Sequence, residues 1–169
     1  MQKATKERTC HMTLSQAIAQ SAVMDEAALA PFIESALEIE VADAFKEWIS
    51  RSAYMNVYFS YTPKFYSRRY RDGGIADVSN MDAHASGNSL TVTDNAGWQQ
   101  LYGGARPGQS LASALEEGNP RYHFGNAGPR PFYDEAKSMF IGSGEAEAAL
   151  RAGLARQGID TTGMTFQFF

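Results

Sequence analysis

Residues 31–51 read PFIESALEIEVADAFKEWISR. Ile33, Leu37, Val41, Ala44, Phe45 and Trp48 recur at three- and four-residue steps, the period of one helix face. Glu34, Glu38, Asp43 and Glu47 occupy the other faces, as an amphipathic helix requires. Pro31 suits a first helical turn, where its missing N–H costs nothing. Glu47 stands four residues before Arg51, the favourable order for a helical ion pair. The spacing predicts a long helix from about residue 31 to the high fifties. Thr62-Pro63 ends it, because the residue before proline avoids the α region.

Working outward, the pattern changes on both sides. Residues 1–12 carry Lys3, Lys6 and Arg8 with no apolar period, and read as a disordered arm. Cys10 in that arm is an inert thiol. Thr13 can cap a short helix through about Val23, with Leu14, Ala17, Ile18 and Ala22 at helical spacing. Asp25 and Glu26 mark a break or a new helix start. Downstream, residues 81–85 and 89–93 alternate around Gly87-Asn88, a turn pair that predicts a hairpin. Met81, Ala83 and Ala85 share one face of it, and Leu90 and Val92 point inward from the second strand. Residues 94–109 read as a long surface loop. LASALEE after Ser110 forms a short element ended by Gly118.

The last third opens with Pro131 and the acidic pair Asp134-Glu135, all suited to a helix start. Phe132, Ala136, Met139 and Phe140 form its apolar stripe. Residues 142–144 (GSG) interrupt, and Glu145 to Gln157 makes a second amphipathic helix with Ala146, Ala149, Leu150 and Leu154 inward. Gly158 is placed as its C′ residue. The tail TFQFF is either an edge strand or a segment docked on a partner. Residues 13–169 thus read as one domain.

Composition narrows the function classes. The chain has 169 residues, one cysteine and a net charge of −4. No disulfide framework or Cys-rich metal site is possible within it. No apolar run approaches the ~18 residues of a membrane span, and the N-terminus lacks the apolar core of a signal peptide. Those features place it in a cytoplasm, or in something assembled there. His11, His84 and His123 fall in separate segments without ligand spacing. There is no GxSxG elbow. Gly73-Gly74 and Gly103-Gly104 lack the Lys-Ser/Thr of a phosphate loop. Neither catalysis nor a cofactor is expected.

One stretch departs from the acidic background. From Arg51 to Arg71 there are five basic residues, no acidic ones and seven aromatics. Arg68, Arg69 and Arg71 could grip phosphates while Tyr61, Phe65, Tyr66 and Tyr70 stack on bases. The same residue types are enriched at the centres of protein interfaces. Alternatively, Phe59, Phe65 and Tyr70 simply fill core. Overall acidity disfavours general DNA coating, and no base-reading helix is visible.

The order of motifs adds a resemblance. Tyr61-Thr-Pro-Lys-Phe-Tyr-Ser-Arg-Arg69, Gly73-Gly74-Ile75, Leu115-Glu-Glu-Gly118, Arg130-Pro-Phe132 and AALRAGLARQGI (148–159) follow one another across about residues 33–160. Together they resemble the tail-completion, or neck, proteins that join head and tail in long-tailed bacteriophages. That resemblance implies an α+β fold, with a small, mainly antiparallel sheet packed against the long N-terminal helix and the C-terminal helices. It implies a non-enzymatic virion protein at the head–tail junction or tail-tube end, assembled in the host bacterial cytoplasm. Its partners would be further copies in a hexamer-like ring, a tail-tube or tail-terminator protein, and a head connector or head-closure protein. Non-specific contact with DNA in the channel would follow, but no membrane contact. The interface candidates are Tyr61, Lys64, Tyr66, Arg68, Arg69, Arg71, Trp98, Arg130, Phe132, Phe166 and Phe168. The alternative is a nucleic-acid-binding accessory protein using residues 61–71.

Overall fold

The computed structural model describes residues 9–17, 26–59, 69, 71–97, 111–118 and 128–169. The fold is α+β, as expected. Its elements in chain order are β1 (Thr9–Ala17), α1 (Glu26–Ala36), a π-helical segment (Leu37–Val41), α2 (Ala42–Ala53), a second π segment (Tyr54–Tyr58) and a 3₁₀ turn (Val78–Asn80). The hairpin strands β2 (Met81–Ser86) and β3 (Ser89–Asp94) follow, then α3 (Leu111–Glu117), α4 (Phe132–Gly142), α5 (Glu145–Arg156) and β4 (Thr165–Phe168). The described residues fall into two compact units.

The first unit gathers residues within 1–10, 49–82 and 93–136. Ile49, Ala53 and Val57 enter its interior at four-residue steps, beside Ile75, Ala76, Met81, Leu115, Phe132 and Tyr133. Cys10 is buried here as well.

The second unit gathers residues within 11–48, 83–92 and 137–169. Leu29, Ile33, Leu37, Val41 and Phe45 are all buried, again at strict four-residue steps. On a pure α-helix of 3.6 residues per turn, such a stripe drifts by about 40° per step and wraps around the rod. The π segment Leu37–Val41 has wider turns and offsets the drift. The stripe therefore stays inward, with α5 packing on α1 and the π segment through buried Ala146, Leu150 and Leu154. Phe45 and Phe140 stack inside, with ring centroids 5.3 Å apart.

Most of the sheet belongs to this second unit. Its four antiparallel strands run in the order β2-β3-β1-β4. Met12 and Leu14 of β1 and Leu90 and Val92 of β3 point into the core. β4 pairs with β1 in the register Leu14↔Phe168 and Gln16↔Phe166. TFQFF thus supplies the edge strand, the first of its two sequence readings.

Several expectations are corrected. The helix predicted from Thr13 is instead the strand β1 through Ala17, because Cys10, Met12 and Leu14 alternate and all three are buried. The arm read as residues 1–12 therefore gives Thr9–Met12 to the sheet. Cys10 is a core residue rather than a thiol in a loose arm. The long helix starts at Glu26, so Pro31 lies inside it rather than in its first turn. Met139, assigned to an apolar stripe, is half exposed. The hairpin around Gly87, the short element ended by Gly118, and the break at 142–144 all stand as expected. Gly158 has φ +80°, and the amides of Gly158 and Ile159 cap Ala155 and Leu154, closing α5.

Candidate interaction surface

Two of the sequence motifs meet in the first unit. Gly118 has φ +67°, and a Cβ there would stand 2.6 Å from the Pro129 nitrogen, so glycine is required twice over. The Arg130 amide donates to the Leu115 carbonyl (3.0 Å). Glu116 Oε2 accepts from the amides of Phe132 (3.0 Å) and Tyr133 (3.3 Å), placing a carboxylate on the N-terminal turn of α4. LEEG and GPRPF are the two halves of one clasp. Burial pushes the Glu116 carboxyl up, and the amides it accepts from pull it back down.

The Gly-Gly-Ile motif forms a second clasp. Gly73 has φ +78°, and its amide donates to Asp77 Oδ2 (2.6 Å). Asp77 Oδ1 accepts from both the amide and the hydroxyl of Ser79, which pulls its carboxyl below the usual range. Asn80 holds the Gly74 carbonyl (3.1 Å), and Ser50 on α2 donates to the Ala76 carbonyl (2.6 Å). These bonds fix the loop that buries Ile75.

Between these clasps lies a buried polar group of side chains. Asp94 is 3% exposed; its Oδ1 accepts from the Ala96 amide (2.7 Å), and its Oδ2 has no partner among the described residues. Desolvation raises its carboxyl to about 7. Tyr133 is equally buried, and its hydroxyl approaches the Asp94 backbone without reaching hydrogen-bond geometry. Burial together with the Asp94 charge raises that hydroxyl further. Tyr58 is raised too, chiefly by burial, against the lowering effect of Ile75 and Arg69.

The structure treats the predicted interface residues unevenly. Tyr61, Lys64, Tyr66, Arg68 and Trp98 lie outside the described residues. Arg69 is half-buried, and its Nη2 donates to the Gly97 carbonyl (2.5 Å), so part of its role is to hold a loop. Arg71 is exposed and Arg130 half-buried. Phe132 is a correction: it is fully buried and stacks on Tyr133 at 4.5 Å, so it is core and presents no surface to a partner. Phe166 and Phe168 are half-buried on the edge strand β4, and the Arg151 guanidinium lies 5.0 Å above the Phe166 ring. Among the described residues, no three His, Cys, Asp or Glu side chains gather to hold a metal. No described helix is long and apolar enough to cross a membrane.

The sequence reading named no interface residue at the start of the basic stretch, where the structure exposes a cluster that includes Phe59, a residue one sequence reading placed in the core. Met55 is 62% exposed, Phe59 69% and Tyr54 38%. Tyr54 packs edge-on against Phe59 at 5.2 Å and lies 6.0 Å from Tyr58. Water-facing aromatics that contact one another at a helix end are a signature of docking surfaces. The sequence signal was available: Tyr54, Met55 and Phe59 fall off the four-residue stripe that Ile49, Ala53 and Val57 continue.

The comparison with known families bears on these same motifs. The YomN family model matches residues 25–156. The chain belongs to the YomN family. The match takes in the long helix, the hairpin, both clasps and α5. The YomN span leaves out β1 and β4, the two strands that pair with each other. No curated protein and no solved structure matches the chain.

Proposed function

We propose that this YomN-family chain is a non-enzymatic structural protein of a phage or prophage virion that joins tail to head. The observation that carries the reading is family membership over residues 25–156, since YomN itself is a protein of the Bacillus prophage SPβ. The motif order that resembles tail-completion proteins falls almost wholly within that span. In this reading, copies of the chain close into a hexamer-like ring. One face meets the tail tube or its terminator, the other the head-closure protein, and DNA passes through the middle. The exposed aromatic helix end supports a contact role, because monomeric proteins rarely leave such clusters open to water.

The test is electron microscopy of particles produced without this gene. Separate DNA-filled heads and finished-length tails are the expected result. Intact virions would remove the joining role and leave nucleic-acid binding by residues 61–71 as the reading to pursue. Steep weakening of DNA binding with salt would then be its mark.

A further inference from the structure

A buried carboxyl and a half-buried guanidinium act on the same short piece of chain in the first unit. Asp94, the last residue of β3, turns the chain there: its Oδ1 accepts from the buried Ala96 amide (2.7 Å). At the next residue the Gly97 carbonyl accepts from Arg69 Nη2 (2.5 Å). Arg69 is anchored in turn, since its carbonyl accepts from the Asp72 amide (2.7 Å) and its Nη1 stands 4.0 Å from where a Cβ on Gly73 would lie. Two charges reach Asp94: Arg69, which favours its ionised form, and Asp77, which opposes it. The phenols of Tyr58, on the second π segment, and of Tyr133, on α4, face it as well, with Cys10 and Glu116 acting on Tyr133.

Asp94 Oδ2 has no partner among the described residues. A neutral carboxyl tolerates such a place, whereas an ionised one with an unmet oxygen is costly. Arg69 is the one cation in the set just named, and its guanidinium carries five N–H donors on a long stem. Two N–H groups on a carboxylate hold a guanidinium more tightly than one on a neutral carbonyl. We infer that Asp94 and Arg69 form a proton-operated latch on the chain at Gly97. While Asp94 keeps its proton, Arg69 holds the Gly97 carbonyl. When the proton leaves, the guanidinium turns onto Asp94 Oδ2 and releases residues 95–97 from that tie. The latch thus joins the core to two stretches of sequence that carry interface candidates, one ending in Arg68-Arg69 and the other resuming at Trp98. The inference goes beyond the joining role and does not rest on it.

The test is an NMR titration of the full chain, labelled with 13C and 15N, from about pH 5 to about pH 9. The Asp94 carboxyl, the Gly97 carbonyl and the Arg69 guanidinium should shift together, with one midpoint near 7. In Asp94→Asn the Gly97 and Arg69 signals should stay flat across the range. Arg69→Gln keeps a donor but removes the charge, so Asp94 should still titrate, at a higher pH, while Gly97 stays flat. Titration of Asp94 with no change at Gly97 or Arg69 overturns the latch. So does a Gly97 shift that survives Arg69→Gln, or an Asp94 carboxyl that stays in one state throughout. The parent chain alone decides between coupled and uncoupled titration, so the outcome does not hang on either variant folding.

Discussion

Gly153 of α5 packs directly against Ala36 of α1, with no room between them for a side chain on the glycine. A Cβ on Gly153 would lie 2.6 Å from the Ala36 Cβ, 3.0 Å from its Cα and 2.5 Å from Glu40 Oε2. Two small residues facing each other let the backbones come together where α1 passes into its π segment. Arg156, one turn further along α5, then pairs with Glu40. The Gln157 side chain donates to the Phe32 carbonyl (2.8 Å). The helix pair is therefore fixed by shape at Gly153 and by polar contacts beyond it.

Gly153→Ala tests that approach. In an open helix the change would stabilise by about 1 kcal/mol through propensity. Here the added methyl meets a backbone carbon that cannot swing away, and overpacking costs about 1–3 kcal/mol net. Gly142→Ala is the control, since nothing lies within 4 Å of a Cβ there. Urea unfolding should show Gly153→Ala destabilised and Gly142→Ala unchanged or improved. Equal behaviour of the two would mean that the helices are less close than described.

How much of this was legible follows from where the information sits. The four-step stripe from Ile33 and the Gly87-Asn88 turn are local signals; the hairpin forms where the sequence places it, and the helix forms but begins earlier, at Glu26. β1 was not legible, because its partners are remote: His11 bonds Thr91, and Leu14 lies opposite Phe168. Cys10, Met12 and Leu14 do alternate, but Leu14 and Ala17 also fit a helical period, so the distant pairing is needed to decide for strand. The motifs were visible but their role was not. LEEG and GPRPF read as a family mark, whereas Glu116 and Gly118 explain them as a joint. For the same reason Phe132 was taken for surface and is core.

Phe45 and Phe140 offer a cleaner measure of the second unit's packing. Both rings are fully buried and lie 15° from parallel. Either change to alanine should cost about 3–5 kcal/mol through lost burial and a residual cavity. The double variant should cost less than the two together, by roughly 0.5–1.5 kcal/mol, the worth of the ring contact. A double-mutant cycle in urea reads the coupling directly. Strict additivity would show that the rings do not meet.

Arg151 ties the edge strand to α5. Its Nη1 donates to the Thr161 carbonyl (2.7 Å), its Nη2 to the Met164 carbonyl (2.6 Å), and both Nε and Nη2 bond Glu147. Lysine keeps the charge but has no planar fork to reach all three acceptors. Arg151→Lys should cost about 1–2 kcal/mol. Exchange of the Phe169 amide, which bonds the Thr13 carbonyl at 2.9 Å, should accelerate roughly tenfold. Unchanged exchange at that amide would mean that β4 is held by its pairing with β1 alone.

Asp94 predicts the pH dependence of the first unit. Burial lifts its carboxyl from 3.8 to about 7 in the folded chain, while the unfolded chain keeps the ordinary value. Below about pH 4 the group is protonated in both states and makes no difference. As pH rises from there to about 7, the unfolded chain releases the proton and the folded chain holds it. Stability falls over that window, by at most about 1.4 kcal/mol per pH unit, and levels off above it. Asp77 and Asp160 are shifted the other way, so their contribution is lost only on acidification below 3.8 and does not mask the effect. Asp94→Asn keeps an oxygen for the Ala96 amide and removes the titration. Its stability relative to the parent chain should therefore rise steadily between pH 5 and 7 in urea unfolding. Parallel profiles would show that Asp94 is ionised throughout, with a partner for Oδ2 supplied from outside the described residues.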